Sequence, residues 1–308
     1  MGWHHNIKVV KPFQYYGGKT PLVDYILTLM PPHQIYCEPF AGSATVFWAK
    51  PPSPLEILND LDFRIVAFYR CLRDERLWQR LQELCELTPY SRAEFYSAVR
   101  HIKECVANPK ALDELSDDEL LILAWRFYIV VQMTVNGRMG SAGWSHPKSP
   151  TSYIAAHCFR NKIAQFGYFH ERLKWALIEC DDALNVIRRY DTPDTFFFID
   201  PPYLPELLKE PNNYDLTMTE DEHKQLLDLL CKVRGKVIIT HPRCPLYDET
   251  LKKWLIVEVS YNLSASSGVG GKKGRTFSDA LWLNYQPPTP PSLLADVPNL
   301  NNNNLNST

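Results

Sequence analysis

The run Thr195-Phe196-Phe197-Phe198-Ile199, followed at once by Asp200-Pro201-Pro202-Tyr203, constrains the fold more than any other stretch of this 308-residue chain. An unbroken apolar, aromatic run reads as a buried strand. The two prolines end it, because proline cannot donate to a strand ladder. Strand-like runs recur at residues 35–38, 56–59, 176–180, 236–240, 256–259 and 281–285, alternating with helical patterns near both ends of the chain. That alternation argues for an α/β sheet with helices on both faces. In an open α/β sheet, ligands bind at the carboxyl ends of central strands. The Asp200 carboxylate, the rigid Pro201 carbonyl and the Tyr203 ring are therefore expected together at a strand tip.

The middle of the chain is helical by spacing. Residues 64–87 place Ile65, Phe68, Leu72, Leu77, Leu81, Leu84 and Leu87 close to a 3.6 period. Residues 92–106 form a second such pattern, and Ser116 is a plausible N-cap for a helix reaching about residue 131. Its first turn, Asp117, Asp118 and Glu119, suits the positive end of the helix dipole. A polar, Gly-rich region at 133–151 breaks the pattern, and helical spacing resumes at 161–175 and 220–233. The expected organisation is a discontinuous core of residues 1–61 and 169–286 carrying a helical insertion at 62–168. A Pro/Asn-rich tail, 287–308, is expected to be disordered.

Composition narrows the class. Hydrophobic residues at 45% and charged residues at 22% exclude wholesale disorder, a coiled coil and a collagen-like chain. No stretch approaches the length of a transmembrane helix, and the N-terminus lacks the charged-then-apolar layout of a signal peptide. Gly2 does not make a myristoylation motif, because position 6 is Asn6. The eight cysteines show no Cys-x-x-Cys pair, which fits free thiols in a reducing cytosol rather than a disulfide framework or zinc site. A formal charge of −2 neither demands nor forbids a polyanionic partner.

Three elements carry chemistry. At the strand tip, a carboxylate (Asp200) and a backbone carbonyl (Pro201) can each accept one N–H of a planar amino group. Drawing that nitrogen towards tetrahedral geometry frees its lone pair for attack. Tyr203 can stack on a base, and Pro201 and Pro202 keep the arrangement preorganised. The plain alternative is a strand-ending turn with a solvated Asp. A second element, Tyr15-Tyr16-Gly17-Gly18-Lys19-Thr20, is not a nucleotide-phosphate loop, because Phe13 stands where that loop needs a glycine. Its glycines still let backbone approach a ligand, flanked by Lys19 and an aromatic ring. The third, Glu38-Pro39-Phe40-Ala41-Gly42-Ser43, is a strand-to-helix turn suited to a nucleoside-containing cofactor, with Asp60 at the next strand end placed for ribose hydroxyls.

In this order, the motifs resemble those of the Dam-type (D12 class) DNA adenine-N6 methyltransferases: aromatic-x-Gly-Gly-Lys, Glu-Pro-Phe-x-Gly, an acidic strand end, then Asp-Pro-Pro-Tyr. The resemblance covers about residues 12–285. It implies a Rossmann-like S-adenosylmethionine-dependent methyltransferase sheet, methyl transfer to adenine N6 in double-stranded DNA, and a mostly helical inserted target-recognition domain. By this likeness Tyr15, Lys19, Glu38, Pro39, Phe40, Gly42, Ser43, Asp60, Asp182, Ala183 and Asp200 border the cofactor. Asp200, Pro201, Pro202, Tyr203 and Lys19 act at the flipped adenine. Three positions depart from the family pattern: Ala183 replaces an aromatic, Ala44 replaces a glycine of the cofactor turn, and Asp279-Ala280 stands where a Glu precedes the last strand.

The chemistry needs no metal, and the nine histidines show no ligand spacing. DNA contacts are expected from the second half of the insertion, which holds Arg138, His146, Lys148, Arg160, Lys162, Arg172 and Lys174 beside Asn136. Arg138 suits guanine and Asn136 adenine. A basic, Gly-rich segment at 264–276 with Lys272, Lys273 and Arg275 reads as a mobile loop for phosphate. The chain is expected to act in the cytoplasm as a monomer, with a cognate restriction endonuclease as a functional rather than physical partner. The alternatives are cytosine-N4, RNA or protein-glutamine methylation, or a DNA-binding regulator without catalysis.

Overall fold

The aromatic run forms β4 (Thr195–Ile199), and every residue of it is buried. A strand with no polar face needs cover on both sides. In a computed structural model, which describes residues 9–15, 18–134, 137, 143–145, 153–207, 217–263 and 275–288, β4 lies at the centre of one sheet. The other strands are β1 (Ile35–Glu38), β2 (Leu55–Asn59), β3 (Leu177–Glu179), β5 (Lys236–His241), β6 (Leu255–Leu263) and β7 (Arg275–Leu283). Their order is β3-β2-β1-β4-β5-β7-β6, the first five parallel and β7 antiparallel to both neighbours. This is the Rossmann-like sheet that the resemblance implies. The order reverses between β1 and β4, which makes their carboxyl ends the expected ligand crevice.

Alternation along the strands sends residues to two apolar layers. Phe196 and Phe198 join Tyr36, Leu58 and Ile238 on one face, with Val23 and Ile26 of α1 (Val23–Leu29), Phe47 of α2 (Thr45–Ala49) and Phe68 of α3 (Phe63–Arg73). On the other face, Phe197 and Ile199 join Cys37, Ile57, Val237 and Ile239. They pack against Val186 of α9 (Ala183–Tyr190), Leu226 of α10 (Glu220–Leu230) and Tyr247 of α11 (Pro245–Thr250).

Between β2 and β3 the chain forms α3, then α4 (Leu77–Leu87), α5 (Arg92–Ala107), α6 (Asp117–Met133), α7 (Tyr153–Ile163) and α8 (Phe166–Leu173). The pattern over 64–87, which reads as one helix, is two. Asp74 accepts the N–H groups of Arg76 and Leu77 (2.8 and 3.1 Å) and restarts the chain in register. Ser116 caps α6 as expected, and with Glu119 it forms a capping box. The insertion is fused to the sheet. Phe68 stacks on Tyr128 (5.3 Å, 5°) and meets Phe127 and Phe166, all within the same buried cluster as Tyr36 of β1. The expected boundary after residue 168 falls inside α8, which packs on α3 and α4.

Both strands of the β6–β7 hairpin are longer than their apolar runs suggest, pairing from Leu255↔Leu283 to Leu263↔Arg275. Arg275 is therefore a strand residue, which corrects its placement in a loop. Backbone pairing continues through the outer half of this hairpin.

The turn after β1 holds two residues with left-handed backbone, Gly42 (φ 48°) and Ala44 (φ 48°, ψ 43°). Ala44 is a buried alanine at the N-cap of α2. Left-handed geometry costs a non-glycine residue about 1–2 kcal/mol, and its buried methyl returns about 0.8 kcal/mol. Ala44→Gly is expected to stabilise the protein by up to about 1 kcal/mol in a denaturant titration; a loss of stability would show that the methyl outweighs the strain.

Candidate active site

Lys19 reaches the tip of β4 from the N-terminal segment. Its Nζ, 4% exposed as a side chain, lies 2.7 Å from Asp200 Oδ1 and 4.9 Å from the centre of the Tyr203 ring. Thr240 Oγ1 also donates to Asp200 Oδ1 (3.2 Å). Among the described residues both contacts use Oδ1, so Oδ2 is left for a ligand. Burial raises the Asp200 carboxyl above the usual Asp range, while Lys19 and Thr240 pull it down. Gly18 permits the approach. A Cβ there would lie 3.1 Å from Lys11 Nζ, 3.2 Å from the Tyr15 carbonyl and 3.3 Å from Ser43 Oγ.

The end of β1 forms the opposite wall. Glu38 Oε1 accepts from Tyr36 Oη (2.5 Å) and from the Phe47 N–H (2.8 Å), and burial pushes its carboxyl up to about 8. Asp60, just past β2, holds the turn. It accepts the Gly42 N–H (2.7 Å) at one oxygen and the Asp62 N–H (2.9 Å) at the other. Burial first, then Asp62 beside it, raises Asp60 to about 7. Asn59 ties three strand ends together. Its amide donates to the Pro39 carbonyl (2.9 Å) and the Asp181 carbonyl (3.0 Å), and its oxygen accepts the Asp181 N–H (2.9 Å). Asp182 caps α9 through Oδ1, accepting from Leu184 and Asn185.

These walls enclose a cavity of about 430 Å³, within the size range of small-molecule sites. Tyr15, Lys19, Glu38, Pro39, Phe40, Gly42, Ser43, Asp60, Asp182, Ala183, Asp200, Pro201, Pro202 and Tyr203 all line it. The fold thus gathers every catalytic and cofactor candidate into one cleft. It adds residues the sequence reading missed: Leu61, Asp62, Leu184, Met218, Glu222 and Gln225. Leu61 is 60% exposed directly after Asp60, an exposure that the sequence does not reveal. Glu222 carried none, because it reads as the capping-box partner of Thr219.

The DNA candidates fare differently. Asn136, Arg138, Lys148, Lys272 and Lys273 lie outside the described residues. Arg172, grouped by sequence with the DNA-facing cations, is instead turned inward onto a buried carboxylate. Its guanidinium engages both oxygens of Glu56 and lies 3.7 Å from the centre of the Phe47 ring. Lys50 binds the same carboxylate at 2.5 Å.

A carboxyl with a folded pKa above its unfolded value contributes stability fully below the unfolded value, and loses it as pH rises through the folded one. Glu38 moves from 4.5 to about 8 and Asp60 from 3.8 to about 7. The melting temperature is therefore expected to fall with rising pH across that window. Glu38→Gln, which keeps an acceptor for Tyr36 and Phe47, is expected to flatten the fall in calorimetric scans; an unchanged slope would assign the pH dependence elsewhere.

A search among curated proteins returned no match. The family model for the D12 class of N6 adenine-specific DNA methyltransferases matches residues 15–264, from the cavity residue Tyr15 to just past β6. With the strand order, the Asp-Pro-Pro-Tyr tip and the cleft beside it already in view, the chain belongs to the D12 class of N6 adenine-specific DNA methyltransferases, enzymes of site-specific adenine methylation.

Proposed function

We propose that the cleft between β1 and β4 binds S-adenosylmethionine on the β1 side and a flipped adenine at the tip of β4. The observation that carries this reading is the Lys19–Asp200 pair beside Tyr203, in one cavity with the Gly42–Asp60 turn of the opposite wall. The residues fit the cofactor. The lining is rich in carboxyl groups (Glu38, Asp60, Asp62, Asp182, Asp200, Glu222), which offer hydrogen-bonding oxygens to the polar groups of the cofactor. A Cβ on Gly42 would meet only Tyr15, at 3.5 Å, so the turn keeps space open beside that ring. Asp60 retains lone pairs for ribose hydroxyls, and Asp182 Oδ2 for the adenine edge. Leu61, Ala183 and Leu184 offer apolar walls in place of the family's aromatic.

When bound, the cofactor supplies a methyl group made electrophilic by its sulfonium. The chain's own residues prepare the nucleophile. Asp200 Oδ2 and the Pro201 carbonyl accept the two N6 hydrogens, and Tyr203 stacks on the base. Lys19 favours the charged form of Asp200 despite its burial. Pro201 and Pro202 restrict the backbone, so little reorganisation accompanies the reaction. Holding the two reactants near contact distance supplies much of the remaining acceleration.

The same reading assigns target recognition in double-stranded DNA to the helical insertion, residues 62–168 extended to the end of α8. Asn136 and Arg138 read base edges there, and Lys148, Lys272, Lys273 and Arg275 contact phosphates. The enzyme acts as a cytoplasmic monomer, and a restriction endonuclease is its functional counterpart. Arg138→Ala is expected to relax sequence preference, whereas a phosphate contact would weaken all sites alike.

Labelled S-adenosylmethionine and duplex DNA test the site directly. Asp200→Ala is expected to lower turnover on the order of 10²–10³-fold with cofactor affinity little changed. Asp60→Ala is expected to weaken cofactor binding about tenfold or more. The acid limb of the rate–pH profile should lie above the ordinary Asp range and move higher in Lys19→Met. Cofactor binding without transfer to DNA would favour the regulator reading instead.

A further inference from the structure

β4 runs out into Asp200-Pro201-Pro202-Tyr203-Leu204, and the two prolines restrict φ at only two of these five residues. The remainder is gripped by the last two residues of β5. At one end Thr240 Oγ1 donates to Asp200 Oδ1. At the other the Leu204 N–H donates to His241 Nε2 at 3.2 Å. His241 Nδ1 is 2.7 Å from the Pro242 carbonyl, so that nitrogen carries the proton and Nε2 is the acceptor. The imidazole is fully buried, edge-on to Tyr203 (5.1 Å, 65°) and stacked on Tyr247 (4.1 Å, 9°). Behind it, Tyr247 Oη lies 2.8 Å from Nδ1 of buried His223 on α10, and His223 also faces the Pro202 carbonyl.

We propose that His241 is a positioning residue for methyl transfer: its accepting nitrogen fixes the Leu204 backbone and its ring fixes Tyr203, which sets the spacing between the target base, Asp200 and the Pro201 carbonyl. The proposal rests on the reading of Asp200–Tyr203 given above and adds to it a residue outside the motif. Its role requires a neutral acceptor. Burial pushes His241 down to about 3, the Pro242 carbonyl opposing and His223 and Lys19 adding. Among the described residues the titratable groups around it are Tyr203, Tyr247, His223, Cys244 and Lys19, none of them a carboxylate that would favour a charged imidazole. His241 is then neither the acid nor the base of the reaction.

The experiment compares His241→Gln and His241→Leu in the full chain. Glutamine presents an acceptor near the place of Nε2; leucine leaves the Leu204 N–H buried without one. The readouts are single-turnover methylation, S-adenosylmethionine affinity, 2-aminopurine fluorescence at the target position, and the rate–pH profile. His241→Leu is expected to slow the single-turnover rate by about 10- to 100-fold with cofactor affinity within about twofold. His241→Gln should recover most of the rate, and the rate–pH profile should keep its shape. If His241→Leu does not fold, His241→Asn, too short to reach Leu204, takes its place. Equal loss in the Gln and Leu variants, cofactor affinity falling in step with rate, an unimpaired Leu variant or a shifted pH limb would each overturn the proposal. A wild-type chain that methylates no adenine overturns the parent reading, and this proposal with it; failure of the variants alone leaves that reading standing.

Discussion

A carboxylate at the end of a strand buried on both faces must be compensated, and the Lys19–Asp200 pair meets that need. Much of the architecture follows from where Lys19 comes from. It sits on the N-terminal segment, outside the sheet, so that segment must cross the carboxyl ends of the strands. Phe13 anchors the crossing. It packs edge-on against Phe68 of α3 and Phe127 of α6, both at 5.4 Å. Gln132 at the end of α6 adds a hydrogen bond to the Pro12 carbonyl (2.7 Å). Gly137 lies so close that a Cβ there would be 2.3 Å from the Gln14 carbonyl. The helical insertion thus supports the segment that delivers the cation to the active-site carboxylate.

Charge across the insertion is organised by the same logic of pairing. The acidic stretch before and within the first turn of α6 is largely matched. Asp113 meets Arg70, Asp117 meets Arg76, Asp118 meets Arg80 and Glu119 meets Lys110. Each exposed pair contributes little alone. Together they link the segment before α6 to α3 and the first turn of α6 to the start of α4. Arg172, Lys50 and Glu56 do the equivalent beneath the sheet, where both cations share one buried carboxylate.

The parts of the molecule legible in the sequence were those where one local rule decides. An aromatic, apolar run closed by two prolines defined β4 to the residue, and Ser116 before an acidic turn defined the start of α6. The cleft was legible because strand tips in an alternating α/β chain converge, so motifs scattered from Tyr15 to Tyr203 could be brought together before any geometry was known. What stayed hidden depends on partners remote in sequence. Asn59 looks like the end of a strand until Pro39 and Asp181 close around it. His241 looks like any strand-end histidine until Leu204 points at it. The α3–α4 break was masked because the apolar spacing runs through it, and Arg172 was misread because composition cannot say which way a cation faces.

The shared aromatic core has an evolutionary corollary. Phe68, Tyr128, Phe127 and Phe166 pack in one cluster with β1 and with Phe13, so the helical region is not a cassette that can be lifted out and replaced by one from a relative with another target. On the recognition role proposed above, drift in site preference would proceed through outward-facing side chains and surface loops while the aromatic interior stays fixed. A graft that swaps whole helices would first disturb the path of the N-terminal segment, and would register as a dead enzyme rather than as one with a new address.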